Sequence, residues 1–143
     1  MGQQQLLLLV LATVIVGLAT VAGIQAFDEG QQQAAQDALT QRALTIGQNI
    51  SAATKKPSQL GGITLSSSDA SQIAAAAGYG DSGDGDGTGI PATGAGDGAT
   101  CDIADDGLVT CNGPDDDLST TVDPTGGSDG GAQVTEISGE SLS

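Results

Sequence analysis

The sequence predicts an α+β protein: a long N-terminal α-helix, half of it apolar, followed by a small β domain that is rich in Gly and Asp, dominated by loops and closed by one disulfide. Three observations favour this class. Residues 6–24 form a run of 19 residues without a charged side chain. A helical apolar pattern follows, and short β-type runs separated by Gly, Pro and Asp fill the rest. We expect a helical stalk at residues 1–56 and an acidic surface domain at residues 57–143.

The N-terminal helix is predicted to run from about residue 4 to residue 55. At about 1.5 Å per residue, the apolar run is long enough to span the roughly 30 Å hydrocarbon core of a bilayer. Farther along, apolar side chains recur at alternating spacings of four and three residues, which predicts a helix with one apolar face. This stripe consists of Leu39, Ala43, Ile46, Ile50 and Ala53. Pro57 is expected to stop the helix, because the residue before a proline avoids the helical conformation.

The charges divide the chain in the same way. The formal net charge is -15, from three basic and 18 acidic residues. All three bases and three of the acids lie in residues 1–68, so that part is neutral and residues 69–143 carry the remaining 15 acids (18 − 3). We expect no nucleic-acid partner, since phosphate binding requires Lys and Arg. We also expect no enzyme, because the chain lacks His, the commonest general base near neutral pH.

Two simpler interpretations of the apolar run stay open. The first is a secretory signal cleaved after Ala22, although such a signal begins with a basic region and this chain offers only Met-Gly-Gln-Gln-Gln. The second is a plain single-pass membrane anchor, for which the length of the run is sufficient.

The first 65 residues carry a set of motifs in a fixed order. The chain opens with Met1 and Gly2, three glutamines follow, and the run LLLLVLATVIVGLATVAGIQAF continues into the amphipathic helix. That helix ends in a basic-basic-Pro segment at residues 55–57, and a Leu-Gly-Gly stretch comes at residues 60–62. In these features the chain resembles type IV pilin-like proteins, and in detail a group of bacterial pilin-like proteins that open MGQQQLLL.

This resemblance implies a filament subunit. The precursor would wait in the inner membrane, and the pilus assembly machinery would draw it into a helical homopolymer at the cell surface. Cleavage after Gly2 would make Gln3 the first residue. Pilins have a glutamate at the fifth mature position, where this chain has Leu7, and we expect amide hydrogen bonds of the glutamines to replace its ion pair. The expected filament-core residues are Leu6, Leu7, Leu8, Leu9, Val10, Ile15, Gly17, Leu18, Gly23, Ile24 and Phe27.

Residues 100–112, TCDIADDGLVTCN, predict a β-hairpin closed by a disulfide between Cys101 and Cys111. A three-residue loop at residues 105–107 would pair the two cysteines across the hairpin, with Gly107 in the left-handed conformation that such loops require. Two thiols on an extracellular chain normally pair. The alternative of two free buried thiols suits a cytosolic protein better.

The other predicted elements are short. We expect a strand at residues 63–65 and a helix or turn at residues 69–77, with Ser68 or Asp69 as its N-cap and Gly78 at its end. Residues 78–98 are rich in glycine and predict a flexible or ligand-ordered loop. Further strand candidates at residues 118–122 and 132–138 would complete a small antiparallel sheet.

The acidic residues of the surface domain occur in clusters. Ca²⁺ binds six to eight oxygen ligands, and glycine lets backbone carbonyls turn inward, so Ca²⁺ is the one cofactor that the sequence suggests. The bidentate glutamate that completes an EF-hand loop is missing. A solvated acidic surface, as in proteins adapted to concentrated salt, is the other interpretation. The candidate ligands are Asp81, Asp84, Asp86, Asp102, Asp105, Asp106, Asp115, Asp116 and Asp117.

The sequence thus predicts a structural subunit of an extracellular type IV pilus-like filament, which first resides in the inner membrane and polymerises with copies of itself. Two alternatives stay open. One is a pseudopilin of a secretion system, and the other is a single-pass, membrane-anchored, calcium-binding surface protein that never polymerises.

Overall fold

The structure, a computed structural model, describes residues 2–114, 117–137 and, for the backbone alone, 140–141. Its first element is the predicted long helix, α1, at Gly2–Thr54, within two residues of the expected bounds at each end. The chain divides into two compact units, Met1–Gln33 and Ala34–Ser143. This division differs from the expected one at residue 56, because the last third of α1 contributes its apolar stripe to the core of the second unit.

The first unit consists of the apolar part of α1. Its 18-residue window of highest hydropathy has a mean hydropathy of 2.7, and none of that window is buried. By length and composition this helix could cross a membrane. Within the described residues it is the one helix that meets both criteria.

The second unit combines the end of α1 with a short helix and an antiparallel sheet. Two 3₁₀ turns at Ser58–Leu60 and Leu65–Ser67 lead to helix α2 at Ala70–Ala77. The described strands form a six-stranded sheet in which each strand pairs with its neighbours in the sequence. These strands are β1 (Ile90–Pro91), β2 (Thr100–Ile103), β3 (Val109–Asn112), β4 (Ser119–Asp123), β5 (Gln133–Ile137) and β6 (Glu140–Ser141).

The core of the second unit lies between α1 and the sheet. All five residues of the predicted stripe, from Leu39 to Ala53, are completely buried. Four of them, all except Ala53, pack with Ile73 of α2, with Ile90 of β1 and with the inward side chains of the central strands. β2, β3 and β4 alternate buried and half-buried residues, as expected when one face of a sheet covers a core. The apolar face of α1 and the inward-facing alternate residues of the strands therefore form a single apolar layer.

The predicted hairpin and disulfide are confirmed. β2 and β3 pair with Cys101 opposite Cys111 and Ile103 opposite Val109, and the two cysteines form a disulfide. Gly107 has a φ of 86°, the left-handed conformation that was expected for the last position of the loop.

Other predictions need correction. The strand predicted at residues 63–65 was wrong, because the Ile63 amide donates to the Ala53 carbonyl at 3.4 Å and so helps to end α1 instead of pairing in a sheet. The short β1 was not predicted. The strands predicted at residues 118–122 and 132–138 exist with bounds shifted by one residue, apart from residue 138, which lies outside the described residues.

Helix α2 is confirmed, but its N-terminus is capped differently from the prediction. Asp69 occupies the N-cap position and makes no side-chain capping bond. The Ala70 amide donates instead to the Asp105 carboxylate, 2.9 Å away in the hairpin loop. Gly78 ends the helix in the left-handed conformation, as expected.

Candidate functional site

The apolar part of α1 exposes its large side chains on every face of the helix. Their exposed fractions range from 50% for Val10 to 70% for Leu7. Gln3, which was predicted as a processed N-terminus, is helical and exposed, as is Gly2. The exposed large apolar residues are Leu6, Leu7, Leu8, Leu9, Val10, Leu11, Val14, Ile15, Val16, Leu18, Val21, Ile24 and Phe27. A patch of this size on a single chain indicates a surface that lipid or protein covers.

Two threonine hydroxyls within this apolar surface form hydrogen bonds with the backbone of the helix itself. The Thr13 hydroxyl donates to the Val10 carbonyl at 2.8 Å, and the Thr20 hydroxyl donates to the Val16 carbonyl at 2.7 Å. Both hydroxyl protons therefore keep their partners when water is removed, which lowers the cost of transferring the helix into an apolar environment.

The glycines of the apolar segment leave open space beside the helix. A methyl group added at Gly17 or Gly23 would meet no atom within 4 Å outside the local helix backbone. Within the described part of a single chain, no neighbour therefore requires a glycine at either position. Small residues of this kind are typical of positions where two membrane helices approach closely.

Four of the aspartates proposed as calcium ligands accept hydrogen bonds from the chain itself, and two of these four do so within their own turns. Asp86 accepts the Thr88 amide at 3.0 Å and the Thr88 hydroxyl at 2.6 Å. Both bonds lower the pKa of the Asp86 carboxyl below its ordinary value, because they stabilise its charged form. The bond from the Thr88 hydroxyl has the larger effect, and the bond from the Thr88 amide has the smaller one. Asp106 closes its own turn in the same manner, accepting the Leu108 amide at 3.1 Å.

Two of these aspartates connect different segments. Asp102 accepts the Gly89 amide at 2.8 Å and ties the glycine-rich loop to β2, while Asp105 caps α2. Asp81, Asp84 and Asp117 are exposed, and residues 115 and 116 lie outside the described part of the chain. In the described part, no group of three or more acidic, Cys or His side chains is placed to hold a metal ion.

A second polar site surrounds the lone arginine of the chain and was not predicted. Arg42 lies on α1 with its guanidinium carbon 5.3 Å from the centre of the Tyr79 ring. The Tyr79 hydroxyl accepts a hydrogen bond from the Asn49 side chain at 2.9 Å. A pocket of about 340 Å³, here called the Arg42 pocket, opens beside this pair. It is lined by Ala38, Gln41, Arg42, Thr45, Thr93 and Gly94.

Comparison of the chain with protein-family models, with curated proteins and with solved structures gives no match. The features that bear on function are therefore the exposed apolar helix, the acidic turns and the Arg42 pocket. The exposed apolar helix constrains the function most strongly, because an apolar helix without a covering of lipid or protein is not stable in water.

Proposed function

We propose that the chain is the structural subunit of an extracellular filament similar to a type IV pilus, assembled through its apolar helix. The observation that carries this proposal is the exposure of every large side chain between residues 6 and 27. Covering one such side chain contributes about 1.5–3 kcal/mol, so the segment requires an apolar environment. Lipid provides it before assembly, and the helices of neighbouring copies provide it afterwards.

Three features support copies of the helix, rather than lipid alone, as the final environment. Residues 1–68 have no net charge, so helices can approach without repulsion. Gly17 and Gly23 leave room for a neighbouring backbone. The resemblance to type IV pilin-like proteins at residues 1–65 points the same way, since their subunits polymerise through this segment.

The acidic remainder of the chain suits the water-facing surface of such a polymer. Its charge cannot be neutralised by bases of its own sequence after residue 68, because that part contains none. Like charges keep neighbouring filaments apart and soluble. The small core and the disulfide give this surface a fixed fold outside the cell, where disulfides persist.

The test is the expression of the full chain with a prepilin peptidase and an extension ATPase, followed by electron microscopy of sheared surface material. We expect filaments that contain this chain alone. Gly23→Leu should abolish filaments while the chain still inserts into the membrane, because the added side chain stays apolar and fills the space that a neighbouring helix needs. Leu9→Met, which keeps the apolar volume, is the matched control and should assemble.

Ile15→Lys tests whether assembly requires membrane insertion. A charge at the centre of the apolar run opposes insertion by about 2.5–3.5 kcal/mol, so this variant should lose both membrane localisation and filaments. A wild-type chain that inserts into the membrane and never polymerises under these conditions would refute the filament and leave a single-pass anchor.

A further inference from the structure

Among the described residues of this strongly acidic chain, Arg42 is a cation without a counter-charge. The chain contains three bases and 18 acids, yet Arg42 forms no ion pair among the described residues, and its shielded Nε atom has no hydrogen-bond partner there. A buried N–H group without a hydrogen bond is costly. The site is therefore incomplete in the single chain.

The surroundings of Arg42 hold the guanidinium in place. The Tyr79 ring, 5.3 Å from the guanidinium carbon, stabilises the cation. The hydrogen bond from Asn49 to the Tyr79 hydroxyl fixes that ring. The ring stabilises the charge but offers no acceptor to the N–H groups, which lie in the guanidinium plane and donate along it. The guanidinium of Arg42 therefore lacks a planar, negatively charged acceptor for its N–H groups.

We infer that the Arg42 pocket binds a carboxylate, and that in the assembled filament this carboxylate belongs to the acidic part of a neighbouring copy. The second half of this inference rests on the proposed function. Arginine and carboxylate form two parallel hydrogen bonds, and Gln41 and Thr93, two residues whose side chains carry donor groups, also line the pocket. Charge complementarity favours the neighbour, because no described acid of the same chain pairs with Arg42, while residues 69–143 of each copy contain 15 acids (18 − 3) and no base.

A carboxylate titration tests the pocket without any filament. The chain has one arginine, so the ¹⁵N-labelled full chain in detergent micelles gives a single Arg42 Nε–H signal in NMR spectra. We expect this signal to shift progressively and to saturate with sodium acetate, and to move much less with sodium chloride at equal ionic strength. Equal responses to acetate and chloride would overturn the carboxylate site.

Zero-length cross-linking identifies the source of the carboxylate in filaments. Arg42→Lys keeps the positive charge and places an amine in the pocket, which a carbodiimide joins to a touching carboxylate. Filaments grown from mixed ¹⁴N and ¹⁵N chains should then give mixed-isotope peptides that join position 42 to an acid of residues 69–143. Lys55 and Lys56, both exposed, serve as internal references, and their cross-linking yield should be several-fold lower.

The outcomes are distinct. Mixed-isotope cross-links at position 42 together with the acetate-specific shift support the inference. Cross-links at position 42 that join only atoms of one chain overturn the neighbouring copy as the source. If no filaments form at all, the proposed function fails, while the acetate titration still decides whether the pocket binds carboxylates.

Discussion

Gly47→Ala tests how closely α1 approaches the sheet in the second unit. Gly47 lies on the buried face of α1, and a β-carbon added there would lie 2.8 Å from Val122 Cγ1 and 3.1 Å from Ala132 Cβ. Carbon atoms that are not bonded prefer separations of about 3.5–4.0 Å. Val122 is fully buried and β-branched, so its side chain has little freedom to rotate away. Relief therefore requires the helix or the strand to move.

The expected effect combines two opposing terms. Overpacking of this kind costs about 1–3 kcal/mol, whereas replacing a helical glycine by alanine contributes about 1 kcal/mol. Gly47→Ala should thus lower the free energy of unfolding by up to about 2 kcal/mol. Gly30→Ala is the matched control on the same helix, because an added methyl group meets nothing within 4 Å there. It should leave the free energy of unfolding unchanged or raise it slightly.

Urea unfolding of the full chain in detergent, followed by the circular dichroism of the sheet, measures both variants. A double-mutant cycle compares the wild type, Gly47→Ala, Val122→Ala and the variant that carries both substitutions. The pair should couple favourably, since removing the valine methyl groups makes space for the new β-carbon. A Gly47→Ala variant at least as stable as Gly30→Ala, or a cycle without coupling, would refute the close approach of α1 to β4.

Three further predictions concern the hairpin, an acidic turn and the filament. Replacing both Cys101 and Cys111 with serine should lower the free energy of unfolding in the same urea assay by about 2–3 kcal/mol, because the closed loop is short; no loss would contradict a stabilising role. Thr88→Val should raise the pKa of Asp86 toward its ordinary value in a carboxyl NMR titration. In the wild-type chain the pKa of Asp86 is lower in the folded state than in the unfolded state, so ionised Asp86 stabilises the fold. This contribution is complete above the unfolded-state pKa and is lost as the pH falls through the folded-state pKa. Added salt or Mg²⁺ should stabilise filaments in sedimentation assays by screening the acidic surface, and dissociation as salt rises would contradict that.

The elements that the sequence predicted well depend on local rules. The apolar stripe from Leu39 to Ala53 has an unbroken helical spacing, and all its members are buried. The hairpin register follows from the symmetric placement of Cys101 and Cys111 about a three-residue loop, and the strands pair as expected. In both cases, neighbours in the sequence determine the structure.

The features that the sequence did not reveal depend on contacts between distant segments. Arg42 and Tyr79 lie 37 residues apart in the chain, and an isolated arginine in an acidic sequence was the sole signal. Asp105 caps α2 from the hairpin loop, which no local capping rule predicts. The aspartate clusters were identified by composition, but composition does not show that Asp86 is already occupied by hydrogen bonds within its own turn.

The two units use different physical means of stabilisation, so different experiments should report on them. The second unit buries its own core and forms a disulfide, whereas the apolar segment of the first unit buries none of its large side chains within a single chain. Gly47→Ala should therefore change urea unfolding and leave membrane insertion unaffected, because the substituted position lies outside the apolar run. Gly23→Leu should do the reverse, leaving unfolding of the sheet unchanged and preventing assembly. If one substitution changed both readouts equally, the apolar helix and the folded unit would have to be treated as a single cooperative structure.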